Sequence, residues 1–143
     1  MNKLLIAIAL SLICVGATAC GIWENNPSAA SGKELTYIDI KPEEAKQRLE
    51  AESGILLLDV RTEEEYAQKH IPDSILIPVD VIEKEAPEKL TDKDAVIFVY
   101  CRSGNRSRTA ASALVKMGYT NVYNLGGMND WPYETVSDSK SEK

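Results

Sequence analysis

The six residues Cys101-Arg102-Ser103-Gly104-Asn105-Arg106 carry the most chemistry in this chain. They follow an unbroken apolar run at 95–100 and precede a stretch of helical periodicity that begins at about Ser107. A cysteine is nucleophilic only as its thiolate. With an ordinary pKa near 8.5 about 3% is ionised at pH 7, and lowering the pKa to about 7 makes that about half, a change of about 2 kcal/mol. A helix N-terminus supplies about 0.3–2 kcal/mol of this, and Arg102 and Arg106 add positive potential. Backbone N–H groups of a short loop, with Gly104 free to take positive φ, can curl into a nest for an anion. The bland alternative is that a strand-end cysteine packs as a small hydrophobe. Against it stand three arginines within seven residues, Arg102, Arg106 and Arg108, which have no place in an apolar core and need an anion or carboxylate partners. The segment therefore reads as a reactive thiol in an anion-binding loop.

Such a loop needs elements to hold it. Between residues 35 and 133 short apolar runs alternate with amphipathic stretches, the pattern of an α/β domain with a mainly parallel sheet. The runs at 55–58 and 95–100 are unbroken, as suits central strands covered on both faces. Residues 37–40, 75–77 and 122–124 are candidates for three more strands. Helix starts are expected at Pro42-Glu43-Glu44 and at Thr62-Glu63-Glu64-Glu65, which has the spacing of a capping box. A helix at about 107–117, buried through Ala110, Ala111, Ala113, Leu114 and Met117, ends at Gly118. Its N-terminus lies beyond a strand's carboxyl end, where open α/β sheets bind ligands.

Other side chains read more simply. Asp59 and Arg61, near the end of the 55–58 strand, are candidates to brace the loop by hydrogen bonds or a salt bridge. His70, the one histidine, reads as a hydrogen-bonded turn residue. Glu65 reads as a capping residue, Gly126-Gly127 as a tight turn and Trp131 as core. No cluster of metal-ligand residues is visible.

The loop 101–107, with its second serine, resembles the active-site loop of the rhodanese family of sulfurtransferases, and the resemblance extends over about a hundred residues. Leu58-Asp59-Val60-Arg61 with Glu65-Tyr66, the stretch from His70 to Pro78, and Asn124-Leu125-Gly126-Gly127-Met128 with Trp131 are similar to three further family motifs in the same order. Two positions depart from the pattern: Lys69 and Asp73 stand where glycine is usual, both in a connecting turn that leaves the chemistry untouched. The resemblance implies a five-stranded parallel sheet flanked by helices, no cofactor and a ping-pong reaction. Cys101 would take sulfane sulfur from a small anionic donor such as thiosulfate and pass it, as a persulfide, to cyanide or a thiol. Arg102 and Arg106 would orient the donor, Ser103 and Asn105 would add hydrogen-bond donors, and Gly104 would permit the turn. A non-catalytic sulfur-carrier or partner-binding module is the alternative. A phosphatase or arsenate reductase fits less well, because four residues rather than five separate Cys101 from Arg106.

The N-terminus reads as an address. Lys3 and a thirteen-residue apolar run at 4–16 form a signal-peptide core, spanning roughly 20 Å as a helix against roughly 30 Å for a bilayer's hydrocarbon. Ala17-Thr18-Ala19-Cys20 resembles a bacterial lipobox, with alanine in place of the usual first leucine. The expectation is a signal peptide over 1–19 and a lipidated Cys20 that holds the protein on a membrane surface of the cell envelope, with plain secretion as the alternative. Residues 20–34 read as a tether, 35–133 as the domain and 134–143 as a disordered tail.

For 143 residues, 44% hydrophobic and 27% charged, one soluble domain of this kind is an ordinary outcome, and a monomer is expected. The formal net charge of −6 argues against a nucleic-acid partner, so any anion site must be built locally.

Overall fold

The computed structural model describes residues 36–138. The proposed signal segment, the tether with Cys20 and residues 139–143 of the tail lie outside the described residues.

The chain alternates strand and helix: β1 (Ile38–Asp39), α1 (Pro42–Ala51), β2 (Leu56–Asp59), α2 (Glu63–Gln68), β3 (Ile75–Leu76), α3 (Ile82–Lys89), β4 (Val96–Cys101), α4 (Asn105–Lys116) and β5 (Asn121–Gly127), with single 3-10 turns at Val79–Val81 and Met128–Asp130. All five strands pair in parallel in the order β1-β5-β4-β2-β3. The α/β parallel sheet expected from the sequence is therefore present.

The unbroken apolar runs have the anticipated cause. Along β4, Ile97, Val99 and Cys101 join Leu58, Val60 and Val122 beneath α3 and α4, whereas Phe98 and Tyr100 join Leu57, Ile71 and Leu125 beneath α1. With period-2 alternation, both faces are covered and neither can be polar. Truncating Phe98, fully buried, would cost about 3–5 kcal/mol.

The helix starts obey local rules. Pro42 occupies the first turn of α1, and Thr62 and Glu65 close a capping box on α2 in both directions. Gly118, at φ +91°, ends α4. Helix α3 carries no such signal. Pro87 lies inside it and reads as a breaker, yet α3 is held by Ile82, Ala86 and Leu90 in the core and by the Tyr119 hydroxyl, which donates to the Ala86 and Leu90 carbonyls at 3.0 and 2.8 Å.

Two boundaries and one residue's conformation differ from expectation. Helix α4 begins at Asn105, not Ser107, because Gly104 at φ +97° takes the N-cap and lets the helix start directly. Asn105 and Arg106 are thus first-turn residues, and the loop shrinks to residues 102–104. Residues 134–138 are not wholly disordered: Val136 exchanges two 2.8 Å backbone hydrogen bonds with His70, and the Asp138 N–H donates to the Ala67 carbonyl at 2.9 Å. Asp73, expected to be a neutral departure, is the one described non-glycine residue at positive φ, +61°, so it adopts the conformation a glycine would hold there.

Candidate active site

The sheet order explains why the site lies where it does. From β2 the chain proceeds outward to β3, and from β4 it proceeds the other way to β5, so the connections diverge at the carboxyl ends of this adjacent pair. A crevice opens at such a switch point. It brings Cys101 at the end of β4 beside the Asp59-Val60-Arg61 segment at the end of β2, where Asp59 pairs in register with Tyr100.

Cys101 is 1% exposed and free of any disulfide. Its Sγ accepts the Gly104 N–H at 3.1 Å across the three-residue loop. Burial pushes the thiol up, but hydrogen bonding from the Ser107 N–H and hydroxyl and from the Gly104 and Ser103 N–H groups outweighs it, so the thiol titrates below its ordinary value. The Ser107 hydroxyl has one proton and three oxygen acceptors within reach: Asn124 Oδ1 at 2.6 Å, the Gly104 carbonyl at 2.9 Å and the Gly126 carbonyl at 3.3 Å. It can serve the sulfur only by leaving these, so the fixed backbone donors at the start of α4 are the dependable ones.

The arginines divide into different roles. Arg106 is bound by Glu65, Nη1 to Oε2 at 2.7 Å and Nη2 to Oε1 at 2.9 Å. The Arg106 guanidinium holds the Glu65 carboxyl far down, at about 2. The guanidinium expected to orient the donor is thus already paired with a carboxylate. Glu65 is more than a cap: the Thr62 N–H donates to its Oε2 at 3.1 Å, so one carboxylate ties the start of α2 to the start of α4. Arg108 is exposed and lines a separate depression with Glu83 and Lys116. Arg102 is exposed and has no ion pair among the described residues.

Asp59 and Arg61 lock each other rather than the loop. Arg61 Nε donates to both Asp59 oxygens at 2.9 and 3.0 Å, and Nη2 donates to Asp59 Oδ2 and to the Lys69 carbonyl, both at 2.6 Å. No hydrogen bond joins either side chain to residues 101–106 among the described residues, which corrects the bracing assigned to them. The brace comes instead from the end of β5 and the turn that follows it. The Asn129 N–H donates to the Arg102 carbonyl at 3.1 Å, and Gly127 lies so close that an added Cβ would fall 2.8 Å from that carbonyl oxygen and 2.9 Å from Ser103 Cα. Gly126-Gly127 is thus not a tight turn. It forms a bulged strand end, shifted in register opposite Tyr100, on which the loop rests.

Ser103 contributes its N–H toward the sulfur, and both Ser103 and Asn105 have exposed side chains. His70 is the structural residue expected: Nδ1 lies 2.8 Å from the Tyr66 carbonyl and its ring stacks on Tyr66. Trp131 is only half-buried, and packs on the core while lining a cleft. Sequence reasoning missed Ser107, Asn124 and Gly127 as site residues. Ser107 had a signal, a hydroxyl six residues after the cysteine in the first turn of the helix that follows it. Asn124, which also donates to Asp39 Oδ1 at 2.7 Å, appeared only as the first residue of the closing motif, and its role was hidden because its partners are 17 and 85 residues away. No group of residues able to hold a metal occurs among the described residues.

Residues 41–134 match the family model described as Rhodanese-like domain. A sulfurtransferase of Allochromatium vinosum is 43% identical over 65% of this chain and 86% of its own length. The thiosulfate sulfurtransferase PspE of Escherichia coli is 38% identical over 51% of this chain and 70% of its own. A Bacillus subtilis protein named for a sulfur-carrier role, YrkF, is 40% identical over 68% of this chain, which spans only about half (52%) of that relative. Among solved structures, the Alr3790 protein of Anabaena sp. superposes with a TM-score of 0.66 at 27% identity, over 71% of this chain and 95% of that one. A parallel sheet of this order with a cysteine loop at its switch point, together with a family match over most of the chain, places this protein in the rhodanese-like domain family.

Proposed function

We propose that the protein is a rhodanese-type sulfurtransferase working through a Cys101 persulfide. The Cys101 thiolate attacks the outer sulfur of thiosulfate, the S–S bond of the donor breaks with its electron pair, and sulfite leaves. The outer sulfur remains on Cys101 as a persulfide anion, held by the N–H groups of Ser103, Gly104 and Ser107. A thiolate or cyanide then attacks that outer sulfur and returns Cys101 as thiolate. Arg102, which carries no ion pair among the described residues, attracts the anionic donor, and Arg106 positions the first turn of α4 through Glu65.

The observation that carries this reading is the Cys101 sulfur beneath the loop, accepting the Gly104 N–H at 3.1 Å with its thiol titrating below its ordinary value. The thiosulfate activity in the name of the Escherichia coli relative supports the choice of donor. A sulfur-carrier role is the second reading, favoured by the name of the Bacillus subtilis relative. Phosphoryl chemistry is disfavoured because the Arg106 guanidinium is already occupied by a carboxylate. Intact mass spectrometry after thiosulfate tests the proposal: a gain of about one sulfur atom, absent in Cys101→Ser and discharged by cyanide with turnover, is expected. A stable adduct with no turnover would indicate the carrier, and no adduct would end both.

We propose further that Cys20 carries lipid and holds the domain on an envelope membrane, on the support of the residues before it. Cys20→Ala should release the protein from the membrane fraction, and unchanged fractionation would refute the anchor.

A further inference from the structure

Beside the loop lies a cleft of about 530 Å³ lined by Arg61, Lys69, Arg102, Met128 and Trp131 with polar neighbours. Thiosulfate is far smaller than this space. The charges in the cleft are unequal. The Arg61 guanidinium is bound to Asp59, and Glu65 is bound to Arg106. Lys69 and Arg102 have no ion pair among the described residues, so the cleft keeps two uncompensated cations in a chain of formal net charge −6. Lys69 stands where the family usually has glycine, and the sequence suggested that this departure was neutral. Its backbone is fixed on both sides: the N–H donates to the Glu65 carbonyl at 3.2 Å, and the carbonyl accepts Arg61 Nη2 at 2.6 Å. The ammonium group therefore starts from a rigid point on the cleft wall. Met128 and Trp131 provide apolar surface on the same cleft.

We infer that this cleft selects the sulfur acceptor, binding a small organic thiol that carries a carboxylate, with Lys69 as the specificity-determining residue. This rests on the persulfide reading above. The thiol sulfur reaches the Cys101 persulfide, its carboxylate pairs with Lys69 and Arg102, and its aliphatic chain lies on Met128 and Trp131. The transfer balances without an oxidant: the acceptor thiolate bonds to the outer sulfur, the S–S bond to Cys101 breaks, Cys101 leaves as thiolate, and the acceptor becomes a persulfide.

The test loads the full-length protein with thiosulfate and measures kcat/KM for 3-mercaptopropionate and for uncharged 2-mercaptoethanol. Taking the ratio of the two, and comparing it between proteins, cancels differences in intrinsic thiol reactivity. Lys69→Gln should lower the ratio by about 3- to 5-fold, mainly through KM, the size of one partly exposed ion pair. Lys69→Glu should lower it by about tenfold or more, and added salt should shrink the wild-type preference. A ratio unchanged in both variants overturns the inference, as does a loss confined to the thiosulfate loading step. Failure to load at all is a separate outcome, seen as absence of the sulfur adduct on the unaltered protein, and it overturns the persulfide reading together with this one.

Discussion

Gly127 offers a severe test of how the loop is held. Its φ is −107°, an ordinary value for any residue, so alanine there meets no backbone strain. The obstacle is steric. A Cβ would lie 2.8 Å from the Arg102 carbonyl oxygen and 2.9 Å from Ser103 Cα, against 3.4 Å or more in ordinary contact, so backbone must move by about 0.6 Å. Neither obstructing atom is the end of a flexible side chain. Overpacking of this kind costs roughly 1–3 kcal/mol, which a domain with both sheet faces covered can absorb without unfolding. Function should suffer more, because the residues displaced carry the N–H groups that face the Cys101 sulfur. A misplacement of about 1 Å can cost about a hundredfold, so the second-order rate of thiosulfate loading should fall by about ten- to a hundredfold in Gly127→Ala. Gly126→Ala is the control: its φ is +90° but no atom lies within 4 Å of the added Cβ. It should lose about 1 kcal/mol of stability through backbone strain and keep most of its loading rate. Urea denaturation and stopped-time mass spectrometry of the persulfide read the two effects separately. If Gly127→Ala loads as fast as the parent, or Gly126→Ala is as impaired, the loop does not depend on this close approach.

Two further outcomes follow from the titrating groups. The Cys101 thiol titrates below its ordinary value in the folded protein, so thiosulfate loading should rise with pH with its midpoint below the pH at which a free cysteine, pKa about 8.5, is half ionised. The matching stability contribution is present above the unfolded pKa and disappears as pH falls through the folded one; a loading profile centred at the free-thiol value would refute the hydrogen-bonded thiolate. For Glu65, held at about 2, ionisation favours the folded state above the unfolded value near 4.3, and that gain is lost as pH falls toward 2. Side-chain exposures of 26% and 34% for Glu65 and Arg106 screen the pair, so Glu65→Gln should cost about 1 kcal/mol at pH 7. The gap in urea midpoint from wild type should narrow on acidification, and a gap indifferent to pH would show that the pair contributes nothing.

Much of the fold was legible because its signals are local. Strands β2 and β4 announced themselves as continuous apolar runs, since a strand covered on both faces has no polar position. The capping box at Thr62 and the end of α4 at Gly118 depend on residues within one helical turn. Helix α3 was not legible: Pro87 argues against it locally, and what overrides that is burial of Ala86 and Leu90 against Tyr119, some 30 residues away. The extension of order to Asp138 was hidden for the same reason, being set by pairing with His70.

By itself, the sequence determined the chemical type of the site: a cysteine at a strand's end, a glycine able to take positive φ, and a helix N-terminus directly after it are all contained in seven consecutive residues. Tertiary structure alone decided which charges act there. Arg106 and Glu65 are 41 residues apart, and only the approach of the start of α2 to the start of α4 pairs a candidate substrate-binding arginine with a carboxylate. The divergence of chain connections at β2 and β4 sets Arg61 and Lys69 beside the loop. The close approach of β5 makes Gly127 a support for it. Local sequence carries conformational preference within a turn or two, whereas neutralisation of a charge and steric contact depend on distances through space that the order of residues does not encode.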